Sequence, residues 1–129
     1  MSCLTTLQIS RWFRFDMTGV LVTVASTQML PRNPVRVAMQ FGAASGTLTT
    51  FHSWGRDAVE AADFRYDPTV DSPPFFHMRD YGSMVQESLH GETSAMAHNM
   101  FVLEITATEE LLNLSESEIR KIIFGGGNK

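Results

Sequence analysis

The stretch Met100-Phe101-Val102-Leu103-Glu104-Ile105-Thr106 carries the clearest secondary-structure signal in the chain. Apolar side chains recur at every second position, so Phe101, Leu103 and Ile105 share one face of an extended chain. Alternation of this kind is typical of a β-strand, because successive side chains of a strand point to opposite faces. The stretch therefore predicts a strand near the carboxyl end of a β-rich domain.

Similar short stretches recur towards the amino terminus, separated by turns rich in glycine and proline. We expect a turn at Asp16–Gly19, a loop at His90–Asn99 and a short helical turn at Asp57–Ala62. Many short strands joined by such turns predict a mainly β fold, an antiparallel β-sandwich or jelly roll over residues 1–106. The predicted strands are Leu7–Phe15, Val20–Ala25, Val35–Phe41, Thr47–Trp54, Ser83–Leu89 and Met100–Thr106, with weaker candidates at Phe64–Tyr66 and Phe75–Met78.

The pattern changes after residue 106, and residues 107–129 are predicted to form a short amphipathic α-helix and a flexible glycine-rich tail. Ser115 and Glu118 form a capping box that starts the helix at Ser115, and Gly125 suits its end. A helix of roughly ten residues is unstable alone in water, so its apolar side must dock on its own sandwich or on a neighbouring chain. The residues predicted to make this contact with a partner are Leu111, Leu114, Ile119, Ile122 and Ile123.

Length and composition limit the function. The chain has 129 residues, enough for one domain, and a formal net charge of −4. An acidic chain has no general attraction for phosphates, so we expect no nucleic-acid partner. A single cysteine, Cys3, excludes a disulfide-stapled scaffold and a cysteine-rich zinc module. The best apolar run, Val20–Ala25, is too short to cross a membrane and no signal peptide is apparent, so we expect no membrane partner and a reducing cytosol.

Metal chemistry has weak signals. No two histidines lie at a short metal-ligand spacing, although a jelly-roll site assembled from separate strands remains open. An acidic stretch could bind calcium, but it lacks the pattern of a calcium-binding loop, so a solvated loop is the favoured interpretation. The four histidines are His52, His77, His90 and His98, and the acidic residues are Asp57, Glu60, Asp63, Asp67 and Asp71.

Catalysis has no visible signature, so we predict no catalytic residue, no cofactor and no enzymatic activity. The chain has no G-x-S-x-G motif, and Cys3 lies near a terminus where a preorganised pocket is hard to build. The triplet Gly125–Gly127 follows a helix, whereas an anion cradle precedes one. Aromatic side chains allow an alternative, a carbohydrate-binding module using Trp12, Trp54 and Tyr66.

Three blocks of sequence, taken in order, resemble small virion proteins of tailed bacteriophages. The first block, Asn33–Phe41, is similar to their opening of Asn-Pro-x-Arg followed by an apolar strand. The second, Tyr81–Gln86, resembles their aromatic-Gly turn, and the third, Val102–Ile105, resembles a closing apolar strand with a single Glu. The resemblance covers about Asn33–Thr106.

This resemblance implies a non-enzymatic β-sandwich of the virion, made in the host cytoplasm and bound to the major capsid or tail protein. The implied roles are capsid decoration, a vertex or fibre-base protein, or a tail accessory. It also implies a symmetric homo-oligomer, because repetitive lattices favour subunits whose many weak contacts act together. A small ligand- or metal-binding jelly roll that uses the strand-borne histidines is the alternative.

Overall fold

The computed structural model describes residues 3–56 and 64–125, with only the backbone of residues 3–9. Nine strands and several short helical segments lie in these residues. The strands are β1 (Cys3–Ile9), β2 (Phe13–Val22), β3 (Thr27–Leu30), β4 (Arg36–Ala43), β5 (Thr50–Trp54), β6 (Phe64–Tyr66), β7 (Phe75–His77), β8 (Leu89–Thr93) and β9 (His98–Ala107). The helices are α1 (Met78–Tyr81), a 3-10 helix (Gly82–Gln86), α2 (Glu109–Leu112) and α3 (Glu116–Phe124).

The strands form two sheets in which every described pair is antiparallel. One sheet has five strands in the order β1-β2-β9-β4-β7, and the other has four in the order β3-β8-β5-β6. The mainly β fold, an antiparallel sandwich of the jelly-roll kind with short helices, is therefore confirmed. No helix in the described ranges has the length and apolar character that a membrane crossing requires.

The main core lies between the sheets and is built around Phe41, which is completely buried. Its ring centroid lies 4.1 Å from that of His52, 5.7 Å from that of Phe76 and 6.0 Å from that of Tyr66. Aromatic rings at such separations contribute beyond the area that they bury. Side chains from both sheets thus fill the space around Phe41.

The amino-terminal strand predictions are wrong in their boundaries. A turn at residues 10–12 divides the predicted strand Leu7–Phe15, because the Ser10 hydroxyl and amide both bond the Phe13 backbone. The predicted turn Asp16–Gly19 lies inside β2 instead. Asp16 is buried in that strand, where the Arg14 guanidinium donates to its carboxylate at 3.0 Å. Asp16, which suggested a turn, is therefore a buried carboxylate within a strand, paired with a partly exposed arginine.

Two further predictions fail around β8. The predicted strand Ser83–Leu89 is largely a 3-10 helix, which begins at Gly82, a residue with a positive φ of 63°. The predicted loop His90–Asn99 contains most of β8, which pairs with both β3 and β5. Gly91 sits within β8, where the Met29 sulfur and the His52 ring pack so closely that a Cβ would lie 2.7 Å from the first and 3.1 Å from the second. The glycine that suggested a loop thus serves close packing inside a sheet.

The predicted helix cap at Ser115 is confirmed, but the described part of the carboxy-terminal segment contains two helices and not one. Ser115 accepts the Glu118 backbone N–H at 3.2 Å, as a capping residue does, and α3 begins at the next residue. A separate short helix, α2, precedes it and is capped by the side chain of Thr108. Gly125 has a positive φ of 72° and ends α3, as predicted. The predicted helical turn Asp57–Ala62 and the tail beyond Gly125 lie outside the described residues.

Candidate functional site

The outer side of the five-stranded sheet carries cross-strand rows of mostly apolar side chains. Directly paired residues of an antiparallel sheet share a face, so the registers of β2, β9, β4 and β7 define these rows. One row is Phe15–Ile105–Ala38–His77, the next is Met17–Leu103–Gln40–Phe75, and the third is Gly19–Phe101–Gly42. Six apolar side chains on this outer side stay partly exposed among the described residues, and we call them the apolar face: Phe15, Met17, Leu21, Phe75, Phe101 and Leu103.

The apolar face is exposed to an unusual degree for such side chains. Leu21 is 40% exposed and Phe75 is 48% exposed, and the other four are half-buried. The three rows contain no Asp, Glu, Lys or Arg. The outer side of the four-stranded sheet differs, since Gln28 pairs with His90 there and Phe51 lies between Glu92 and Arg65. Uncharged character is thus specific to one side of the sandwich.

The carboxy-terminal helices cover one end of this sheet. Leu111 and Ile123 are buried against Val37, Ala38 and Ile105, in a cluster separate from the main core. The predicted partner-contact residues Leu114, Ile119 and Ile122 are half-buried against the same cluster. The sequence left open whether the helix docks on its own sandwich or on a neighbouring chain. In the structure it docks on its own sandwich. That these residues also contact a partner stays a prediction.

A small apolar pocket of about 170 Å³ lies where the helix-covered end meets the apolar face. It is lined by Phe13, Phe15, Val37, Ala38, His77 and Ile105. A groove of about 350 Å³ lies beside α3, lined by Arg11, Trp12, Leu114, Glu118, Lys121 and Ile122. This groove is charged at its rim, because Arg11 stacks 4.2 Å from the centre of Trp12 and pairs with Glu110.

The histidines are distributed rather than gathered. His52 lies in the main core with its Nε2 2.7 Å from the Thr50 hydroxyl, and its Nδ1 is buried without a hydrogen bond of regular geometry. Burial lowers the pKa of His52 to about 3, since the charged imidazolium would lose its hydration, and the nearby His90 backbone offsets part of this effect. His52 is therefore a neutral, buried ring at ordinary pH.

The other three histidines lie on different elements. His90 Nε2 lies 2.8 Å from the Ser88 hydroxyl, and His98 packs against Gly46. His77 Nδ1 accepts the Arg79 backbone N–H at 2.9 Å, and partial burial followed by the Arg79 charge lowers the pKa of His77. Residues 3–56 and 64–125 contain no group of three or more His, Cys, Asp or Glu side chains that could hold a metal ion.

The remaining candidates from the sequence fall in different places. Asp67 and Asp71 close a loop, since Asp67 accepts from Thr69 and the Asp67 N–H donates to Asp71. The carboxylates of Asp57, Glu60 and Asp63 lie outside the described residues, as does the side chain of Cys3. The sugar-binding candidates are separated, because Trp54 and Tyr66 belong to the interior aromatic cluster and Trp12 packs beside α3.

A buried ion pair joins the three blocks of the phage resemblance. Arg36 of the first block donates to the Glu104 carboxylate of the third at 2.8 Å, and to the Val85 carbonyl of the second. Asn33 also donates to Glu104, and Gln86 donates to the Arg36 carbonyl. Burial lowers the pKa of Arg36, while the Glu104 charge opposes that change. Sequence reasoning missed this pairing, although a lone Glu in an apolar strand was its signal.

No protein-family model and no curated protein matches this chain. A cupin superfamily protein from Desulfitobacterium hafniense is 9% identical, with a TM-score of 0.40 over 84% of this chain and 79% of its own. The polyketide cyclase RemF from Streptomyces resistomycificus is 12% identical, with a TM-score of 0.39 over 94% of this chain and 78% of its own. Similarity at this level adds nothing to the description of the fold or the site.

Proposed function

We propose that the protein is a non-enzymatic structural protein of a tailed-bacteriophage virion, a decoration or accessory subunit that binds the capsid or tail lattice. The observation that carries the proposal is the apolar face, an uncharged and partly exposed side of the five-stranded sheet. An antiparallel sheet that faces water usually presents polar side chains on that side. Contiguous apolar surface on a folded domain marks a site of interaction with another protein or ligand.

The helices support a role in assembly rather than in chemistry. They cover the end of the sheet at Val37 and Ile105 and leave the rows of Met17 and Phe101 open. The loop at Pro73 packs against the β4 part of these rows, where Gln40 donates to the Pro73 carbonyl. The remaining part of the rows stays available for another surface. An assembly subunit needs such a surface, and repetition on a lattice multiplies the effect of each contact.

The phage assignment in particular draws on the three resembling blocks. They meet at the Arg36–Glu104 pair, so the residues that carry the resemblance form one connected part of the fold. The partner that follows from this resemblance is the major capsid or tail protein of the same virion. The site of action is then the virion surface, after synthesis in the host cytoplasm.

The test is co-sedimentation of the purified chain with capsids and with tails produced from the genome that encodes it. We expect saturable binding to one of the two particles, with no binding to particles of an unrelated phage. Absence of binding to both particles at micromolar concentration would overturn the proposal. So would a genomic neighbourhood without capsid, portal or tail genes.

A second candidate, a ligand-binding jelly roll, is favoured by the buried Nδ1 of His52 beside the Phe41 ring. Metal analysis and thermal-shift measurements of the chelator-treated protein separate the two candidates. Retained stoichiometric metal, or a ligand whose stabilising effect disappears in His52→Leu, would favour this second function.

A further inference from the structure

We infer that the apolar face pairs with the same face of a second copy of this chain, forming a two-fold symmetric dimer. This inference deepens the proposed function, because it names the first partner of the apolar face. Three features of the face carry the inference: its area, its lack of charge, and a projection and a pocket that match each other.

The area suits a weak dimer. With strands about 4.8 Å apart, the four strands that carry the rows are about 19 Å wide, and the face extends about 20 Å along them from Phe15 to Leu21. The face therefore offers on the order of 400 Å² per copy, and two copies bury about 800 Å². An interface of that size is typical of weak, transient association.

The charge distribution suits a copy of the same chain. Two chains that each carry a net charge of −4 repel one another over most of their surfaces. The three rows of the apolar face carry no Asp, Glu, Lys or Arg, so two copies can approach there without desolvating like charges. Gln40, the one amide in these rows, donates to the Pro73 carbonyl at 3.1 Å and keeps further donor and acceptor capacity at the interface.

The shape of the face provides both halves of a self-complementary contact. Leu21 projects at one end with 40% of its surface exposed, and the 170 Å³ apolar pocket beside Phe15 lies at the other end. A two-fold axis across the strands, midway between the Met17 and Gly19 rows, places each Leu21 opposite Phe15, at the edge of the pocket of the other copy. The same operation places each Met17 over Gly19, above which the space is open. A two-fold interface repeats every such contact twice.

The first experiment measures the mass of the full chain by light scattering during gel filtration. We expect twice the chain mass of 14.4 kDa at tens of micromolar, according to the interface area. Leu21→Arg and Gly19→Leu should each raise the dissociation constant roughly tenfold or more, since each fills or charges the contact. Leu112→Arg is the matched control, because Leu112 is 44% exposed on α2 and belongs to none of the rows of the face, and this variant should stay dimeric.

Gly19→Leu keeps this test valid if Leu21→Arg folds poorly, since an added Cβ at Gly19 meets no atom within 4 Å. Circular dichroism should show unchanged strand content in both variants. A wild-type chain that is monomeric at 100 µM, on the order of the weakest specific dimers, would overturn the inference. Variants of the face that leave the dimer intact would also overturn it.

A disulfide experiment tests the arrangement itself. In a Cys3→Ser background, Phe15→Cys mixed with Leu21→Cys should form a cross-linked dimer under mild oxidation, more readily than either variant alone. Within one chain these positions are about 20 Å apart, too far for a disulfide, so the bond must join two copies. Equal cross-linking in the mixture and in the single variants contradicts the proposed axis.

The two proposals fail separately. A chain that is dimeric through this face but ignores capsids and tails would refute the virion role alone. A chain that binds particles as a monomer, with Gly19→Leu binding equally well, would refute the dimer alone.

Discussion

The Arg36 guanidinium, which has no exposed side-chain surface, donates from Nε to the Glu104 carboxylate at 2.8 Å on the inner side of the five-stranded sheet. Its remaining nitrogens donate to the carbonyls of Pro31, Val85 and Glu87, so every branch of the guanidinium is satisfied. A charge without water is tolerated only with this degree of pairing. The pair therefore ties the proline-rich loop and the start of β8 to the sheet.

Glu104→Ala should destabilise the fold by about 3–5 kcal/mol, because it leaves the Arg36 charge buried without its partner. Urea unfolding at one fixed protein concentration measures the effect. Arg11→Ala is the matched control, since its pair with Glu110 is 66% and 57% exposed and should contribute about 1 kcal/mol or less. A Glu104→Ala variant as stable as Arg11→Ala would show that water reaches the guanidinium.

Stability should fall in acid because of His52. Its folded pKa is about 3, below the value of about 6.5 expected in the unfolded chain, so the unfolded state takes up the proton first. The contribution of the neutral His52 ring to the free energy of unfolding is complete above about pH 6.5. It decreases by about 1.4 kcal/mol per pH unit as pH falls towards 3. In His52→Leu, the unfolding free energy should change less steeply with pH between 6 and 4.5. The difference in slope should be nearly 1.4 kcal/mol per pH unit, which corresponds to the uptake of nearly one proton.

His77→Gln serves as the control for this measurement. The pKa of His77 is also lowered, but the side chain is only half-buried, so its removal should change the slope less. Identical slopes for the wild type and His52→Leu would mean that the ring charges inside the folded protein.

Gly91→Ala should destabilise the protein by about 1–3 kcal/mol, the usual effect of overpacking. A Cβ at this position would lie 2.7 Å from the Met29 sulfur and 3.1 Å from the His52 ring. Gly19→Ala is the comparison within the other sheet, because its Cβ meets nothing within 4 Å, and it should be nearly neutral. Thermal unfolding of the two variants decides the point, and equal melting temperatures would contradict the packing described at Gly91.

Neighbouring leucines of α2 test how firmly the helices are attached. Leu111→Ala should cost about 2–5 kcal/mol, because Leu111 is completely buried in the cluster against the sheet. Leu112→Ala should cost less than about 1 kcal/mol, since that side chain is 44% exposed. Chemical unfolding measures both, and a small effect of Leu111→Ala would indicate that the helices detach before the sandwich unfolds.

Alternation along the chain was sufficient to predict the fold class, because the two-residue period of β4 and β9 follows directly from pleating. The cap at Ser115 was equally accessible, since its hydrogen bond joins residues only three apart. The 3-10 helix at Gly82–Gln86 was not accessible, because Gln86 is held by the distant carbonyls of Pro34 and Arg36. Contacts remote in sequence overrode the local propensity there.

The candidate site was harder to predict for a related reason. Period-two alternation shows that Phe101, Leu103 and Ile105 share a face, but it does not show whether that face lies inside or outside the sandwich. Here the inner side of β9 carries Met100, Val102 and the paired Glu104, and the apolar row faces out. Both sides of β9 carry apolar side chains, so the alternation alone could not show which side lies in the main core.

The position of β9 at the centre of its sheet has a consequence for synthesis on the ribosome. β2 and β4 both pair with β9, yet β9 is the last of the described strands to be made. At about 5–20 residues per second, the finished β2 waits for roughly 5–20 s with one edge unpaired. Such long-range pairing gives slow folding, and nascent chains held on the ribosome before Ala107 emerges should depend on chaperones to avoid aggregation.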